Sequence, residues 1–352
     1  MADVMEPSSE AISSENAGVS KIEQRPIIGI DDGYAQTKLH GGNADAPVRL
    51  CLASSIRPGR YGLASMSGAG QIAAYRVEEG EEFTVSASVP SEPTTFESYH
   101  VSTMNRVMVQ HVLLEAGFSG RTVDIMVGLP VADFFSDGRK DEARIARKIE
   151  NLRKQVTPLD GREPVRYGRI RVGCQAIAAF VDWLLDDDLS ARNDTPARAA
   201  VVDVGGYTTD VAVILDGERI DQTRTGTSRI GMLDIHDMIA AGLRTRFQIQ
   251  DRFPAEVLSS ALRTRTIRLW GREERVDNLV EHALVQHSAK VAREVERKLG
   301  GGADLDVILF VGGGANVLKG LIERFPNAGR VDDPEFANAR GLWKYARFHE
   351  DG

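Results

Sequence analysis

The chain has 352 residues, enough for two core-forming lobes, and its 42% hydrophobic and 27% charged residues are ordinary for a soluble globular protein. Asp plus Glu number 51 against 43 for Lys plus Arg, and the resulting formal charge of −8 excludes the basic footprint of a direct DNA binder. Two distant cysteines, Cys51 and Cys174, make no disulfide framework and fit a reducing cytoplasm, and no apolar run approaches the ~20 residues that span a bilayer.

Residues 1–25, rich in Ser, Glu, Asn and Ala and without an apolar or Arg-rich targeting pattern, read as a flexible tail. "PIIGIDDGYAQTKLHGG" follows, with Ile27, Ile28 and Ile30 in a strand, Asp31-Asp32-Gly33 as a turn and "TKLH" as the returning strand. The Gly-, Ser- and Pro-rich stretch 42–95 reads as a hairpin-rich insertion. A helix with hydroxyl caps starts at Ser102 and stops at Gly117, and "VDIMVGLP" has the continuous apolar pattern of a strand covered on both faces. "DEARIARKIENLRKQV" reads as a highly charged helix with a solvated face.

"RIRVGCQAIAAFVDWLL" turns from strand to apolar helix. "VVDVGGYTTDVAVI" is a second strand–turn–strand, about 170 residues after the first. Helices are expected in "GMLDIHDMIAAGLRTRF" and "NLVEHALVQHSAKVAREVERKL", the latter with Leu284, Ala292, Val295 and Leu299 on one face. "DVILFVGGGANVLKGLIERF" reads as strand, glycine turn, helix. Two glycine–aspartate hairpins opening two strand-rich regions imply a duplicated α/β lobe with largely parallel sheets: lobe I at 26–198 and lobe II at 199–324.

Three elements carry chemistry together: Asp31, Gly33 and Lys38; then Asp203, Gly205, Gly206, Thr208, Thr209 and Asp210; then Gly312-Gly313-Gly314. Glycines let backbone amides approach phosphate oxygens, a helix N-terminus favours anions, a lysine neutralises phosphate and paired aspartates hold Mg²⁺ through its waters. Alone, a D-x-G turn is more often only a turn. The Gly312 triplet lacks the Walker lysine and the dinucleotide-fold spacing. In this order and spacing the three ask for a nucleotide with Mg²⁺.

The chain resembles the actin superfamily, and within it the ParM (StbA) family of bacterial actin-like plasmid-segregation ATPases. "IDDGYAQTKL" is similar to the first phosphate motif, "VDVGGYTTDVAVI" to the second and "VGGGANVLKG" to the adenosine motif; "VMVQHVLLEAGFSGRTVDIMVGLPVADFF" is similar to the ParM segment leading to the hinge helix. The resemblance implies two actin-like (ribonuclease H-like) α/β lobes closing on a nucleotide, with 325–352 returning to lobe I. It implies a cytoplasmic bacterial ATPase that binds ATP or GTP with Mg²⁺, forms homopolymer filaments and moves plasmid DNA through a DNA-binding adaptor of the ParR type, with no membrane contact.

By the same resemblance Asp31 and Asp203 hold the Mg²⁺ waters and Lys38 reaches the β- and γ-phosphates. Amides near Gly33, Gly205 and Gly206 lie beside the phosphates, Gly313 and Gly314 near the adenine and Gly226 near the ribose; Tyr34, Tyr207, Thr208 and Gly312 are also expected to contact the nucleotide. Gln175 stands where the family carries a glutamate facing the γ-phosphate. An amide orients water but is a poor base, so Gln175 is expected to position the attacking water beside Asp203; its plain alternative is a polar cap on an apolar helix. Tyr34 stands where relatives carry a small or hydroxyl residue and is expected to alter access to the phosphates. His236 and His287, with no metal-spaced partner, read as surface or packed residues, and Cys174 as a buried hydrophobe. Rival readings are a small-molecule kinase sharing the clamp, a non-polymerising actin-like scaffold and a chaperone-type ATPase; the last needs a substrate domain for which about 38 residues after Gly314 leave no room.

Overall fold

The computed structural model describes residues 25–43, 46–61, 72–86, 92–192, 194–329 and 331–349. The expected tail therefore lies outside the described residues except for Arg25, as do parts of the 42–95 stretch.

Lobe I is built on a five-stranded sheet in the order Arg166–Cys174, Thr122–Leu129, Ile27–Asp32, Gln36–Asn43, Ala46–Ala53. Ile27–Asp32 is buried along its whole length because it sits mid-sheet, antiparallel to Gln36–Asn43 on one side and parallel to Thr122–Leu129 on the other. Lobe II repeats the scheme. Arg198–Val204 is antiparallel to Thr209–Leu215 and parallel to Val307–Val311. Each lobe thus opens with a hairpin whose first strand is the sheet's centre.

The insertion begins later than composition suggests. Ala46–Ala53 pairs with Gln36–Asn43 as the edge of the lobe I sheet, and its half-exposed pattern explains why its sequence reads as peripheral. A separate four-stranded sheet joins Ile56–Pro58, Ala73–Val77 and Glu82–Val85 to the distant Val156–Pro158.

Helix Thr103–Glu115 starts where the Ser102 side chain accepts the Asn105 amide and ends at Ala116, followed by Gly117 at φ 86°, with the Phe118 amide returning to the Leu113 carbonyl. Helix Glu142–Arg153 is capped by Asp141, but its charged face is not uniformly solvated. Lys148 points inward and is fully buried, 2.5 Å from the Asp32 carboxylate. Desolvation raises the Asp32 pKa and lowers that of Lys148, each partly offset by the other's charge.

Helix Asp277–Leu299 buries Ala292, Val295 and Leu299 as the pattern requires, together with His287, whose ring nitrogens have no hydrogen-bond partner among the described residues. Each lobe has its own apolar core. A third cluster joins them behind the sheets, bringing Leu129, Cys174 and Phe180 against Val201, Ile214 and Leu309. The final helix, Ala337–Phe348, lies on Gln175–Leu184 and Ile27–Asp32, so closely that a Cβ at Gly341 would run into the Ala178 carbonyl. No helix among the described residues is long and apolar enough to cross a membrane.

Candidate functional site

The two hairpin turns face each other across a cleft with a cavity volume of about 910 Å³. Hydrogen bonds to its backbone hold each turn. In the first, the Ser54 hydroxyl donates to the Gly33 carbonyl (2.8 Å) and the Thr94 hydroxyl to the Tyr34 carbonyl (2.5 Å). In the second, the Gly205 amide bonds the Thr208 carbonyl (2.9 Å), and the first amides of helix Met232–Phe247 bond the carbonyls of Gly205 and Gly206. The turns touch: a Cβ at Gly206 would collide with Ala35, and the Tyr34 and Tyr207 rings meet edge-on at 5.0 Å.

Four of the expected side chains converge in the cleft. Asp31, Lys38, Gln175 and Asp203 are all buried and all line it. Gln175 Nε2 donates to Asp31 Oδ1 (2.8 Å), and Lys38 Nζ lies 3.4 Å from Asp31 Oδ2. Burial opposes the Lys38 charge, but Asp31 and Asp203 among its neighbours hold its pKa above the ordinary value. Asp203 Oδ2 accepts from Asn338 Nδ2 (2.7 Å), while Oδ1 is buried without a hydrogen-bond partner among the described residues. Burial, with the charge of Asp31, pushes the Asp203 carboxyl up to about 7.

Gly33, Tyr34, Gly205, Gly206, Thr208, Gly312 and Gly313 also line the cleft. Gly312 has φ 79°, and a Cβ there would strike Asp203 Oδ1, so only glycine lets that strand end pass the carboxylate. Three expected residues do not line the cavity. Tyr207 packs on the Tyr34 ring rather than lining the cavity, and Gly314 lies against Val204, which a Cβ would hit. Gly226, expected at the ribose, pairs with Val211 in the strand Gly226–Ser228, on the side of Lys298. The glycine triplet also does not open an α-helix. It forms a 3₁₀ turn, Gly313–Asn316, before the four-residue helix Lys319–Ile322, so the expected helix dipole is not there.

One more motif residue and a group whose convergence had no local signal also line the cleft. Asp210, present in the second motif, accepts from Thr208 Oγ1 (3.0 Å), from Thr227 Oγ1 and from the Val131 amide (3.2 Å), tying lobe II to the end of a lobe I strand. At the other end of the cleft His236, read as packed, lines the cavity with Ser259 Oγ 3.2 Å from its Nε2; Met232, Leu262 and Arg263 adjoin them. These come from two helices packed together, a pairing no sequence spacing shows.

Among the described residues no three His, Cys, Asp or Glu side chains are grouped to hold a metal directly. The donor set nevertheless fits Mg²⁺. The unpartnered Asp203 Oδ1 and the Asp31 carboxylate are hard oxygen acceptors, and magnesium, which keeps most of its waters, needs only one or two carboxylates.

Fold and cleft together define a two-lobed actin-like protein. Residues 27–184 match the family model for the plasmid segregation protein ParM, N-terminal, and residues 201–323 that for the archaeal actin homologue MreB-like, C-terminal. The two matches give the chain a ParM-like first lobe and an MreB-like second lobe on an actin-like fold. Among solved structures it is similar to the archaeal actin homologue Ta0583 in complex with ADP, at 19% identity and a TM-score of 0.73, covering 92% of this chain and 99% of that one. It is equally similar to a 15-stranded ParM filament from Clostridium botulinum, at 20% identity and 0.72, with the same coverage. Bacillus thuringiensis ParM with AMPPNP aligns at 13% identity and 0.66, covering 93% and 99%. No curated protein matches the chain.

Proposed function

We propose that this chain is a nucleotide-dependent, filament-forming ATPase of the bacterial cytoplasm that segregates plasmid DNA through a DNA-binding adaptor. The observation that carries it is the convergence of both hairpins' acids, Asp31 and Asp203, with Lys38 and Gln175 in one cleft. Asp31 and Asp203 would hold the waters of Mg²⁺, which when bound neutralises phosphate charge as it develops. Lys38 meets the β- and γ-phosphates as a point charge. Gln175, its Nε2 committed to Asp31, keeps its carbonyl oxygen to accept a hydrogen bond from the attacking water. The net charge of −8 favours an adaptor over direct DNA binding.

The test is sedimentation with ATP or GTP and Mg²⁺, with phosphate release followed in parallel. Nucleotide-dependent polymer that disassembles as phosphate is released supports the proposal. A chain that hydrolyses nucleotide but stays monomeric at tens of micromolar is a non-polymerising ATPase or a kinase instead.

A further inference from the structure

The largest exposed aromatic of lobe II is Trp270, 74% exposed at the tip of the hairpin formed by Thr266–Leu269 and Arg272–Arg275. It has φ 47°, and Gly271 beside it 79°, a two-residue turn that favours Asn, Asp or Gly at its first position. A bulky side chain tolerates that backbone poorly, so the turn accepts a conformational cost to display an indole to solvent. The Phe247 ring stands 6.4 Å from it with the Arg246 guanidinium over that ring, and Arg268 and Arg272 are exposed alongside. Residues 262–275 carry five arginines against two glutamates. Tryptophan with arginine is the composition of an interface centre.

A second exposed aromatic has the opposite charge beside it. Phe348, 54% exposed, ends the last helix, and the neighbouring Arg347 donates to the Asp187 carbonyl (3.1 Å) in a loop that exposes Asp186, Asp187 and Asp188. The basic hairpin is anchored in the lobe II core through Ile267, whereas the acidic loop continues from helix Gln175–Leu184. A contact that lays either patch on its own copy sets like charges together. A head-to-tail contact sets opposite charges together and leaves one complementary patch free at each end, the arrangement that lets further copies add.

We infer that the Trp270 hairpin of one copy docks on the acidic Asp186–Asp188 and Phe348 surface of the next, making it a longitudinal contact of the filament; this rests on the self-assembly proposed above. The test is a charge swap read by sedimentation with ATP or GTP and Mg²⁺. Arg268→Glu with Arg272→Glu, and separately Asp186→Lys with Asp188→Lys, which spare the Asp187 pair with Lys344, should each raise the critical concentration at least tenfold while leaving nucleotide binding and the circular dichroism spectrum unchanged. Mixing the two variants pairs a reversed hairpin with a reversed loop and should restore polymer. Trp270→Ala should weaken assembly comparably and is not rescued by mixing.

Wild-type polymer with fully assembling swap variants, or no rescue on mixing correctly folded variants, overturns the contact and leaves the self-assembly proposal standing. A wild-type chain that never sediments overturns both. If the arginine variant assembles normally but loses retention of duplex DNA that the wild type shows, the hairpin is a nucleic-acid surface and the inference is wrong.

Discussion

In the first hairpin each carboxylate meets a cation of its own lobe. Asp31 faces Lys38 and the Gln175 amide, and Asp32 faces the buried Lys148. In the second hairpin, of like topology, Asp203 receives only the Asn338 amide and Asp210 only hydroxyls and a backbone amide. Both hairpins leave one buried carboxylate oxygen unpartnered, Asp32 Oδ1 and Asp203 Oδ1, but the lobe I acids each pair with a lysine, whereas Asp203 lines the cleft with no ion-pair partner among the described residues, where burial penalises its charged form. An entering cation gains most at Asp203, and phosphate charge gains most near Lys38. The asymmetry between two similar turns suits the cleft to the metal–anion pair of the proposed function.

The comparison breaks most severely at the buried ion pair. Lys148→Met leaves Asp32 buried without its cation and should cost about 3–5 kcal/mol, read as a fall in the urea midpoint. Lys148→Met with Asp32→Leu should recover much of that loss. A single variant as stable as the wild type would show that the first hairpin does not depend on this pair.

The next effect sharpens the role of the amide shared with Asp31. Gln175→Ala should lower nucleotide turnover on the order of tenfold to a hundredfold with nucleotide affinity near that of the wild type, and filaments should persist longer after ATP runs out. Unchanged turnover and filament lifetime would reduce Gln175 to a helix-entry residue.

Much of this asymmetry is invisible in sequence. The hairpins are legible because small residues interrupt two apolar strands, and helix Thr103–Glu115 because Ser102 and Gly117 bracket it. Lys148 is not, since one inward lysine in a charged helix alters no local pattern. Ala46–Ala53 is an edge strand whose half-exposed residues resemble a loop. Asn338 reaches Asp203 from 135 positions away, through helix packing that composition does not encode. The Gly312 triplet was legible as a close approach but not as a 3₁₀ turn, because the approach is to Asp203 rather than into a helix.

A smaller effect concerns the lobe II core. Burial lowers the His287 pKa to about 4 from the ordinary 6.5. The unfolded chain therefore binds a proton that the folded chain refuses between those values, and stability is lost as pH falls from 6.5 towards 4. His287→Leu should flatten that loss by about 1–2 kcal/mol at pH 5. An equal slope in the variant, measured by urea unfolding at pH 7 and pH 5, would place the acid sensitivity elsewhere.

In the proposed function Asp203 is the open acceptor that couples metal and nucleotide. Titration calorimetry with non-hydrolysable ATP and GTP analogues, with and without Mg²⁺, in buffers of different ionisation heat at pH 6 tests it. Because burial and the Asp31 charge push the Asp203 carboxyl up to about 7, the free protein is expected to hold a proton there at pH 6, and Mg²⁺-nucleotide should displace up to about one proton on binding. Asp203→Ala should bind Mg²⁺-nucleotide more weakly and without that release. No binding of either analogue, or identical affinity and proton release in Asp203→Ala, would contradict the account.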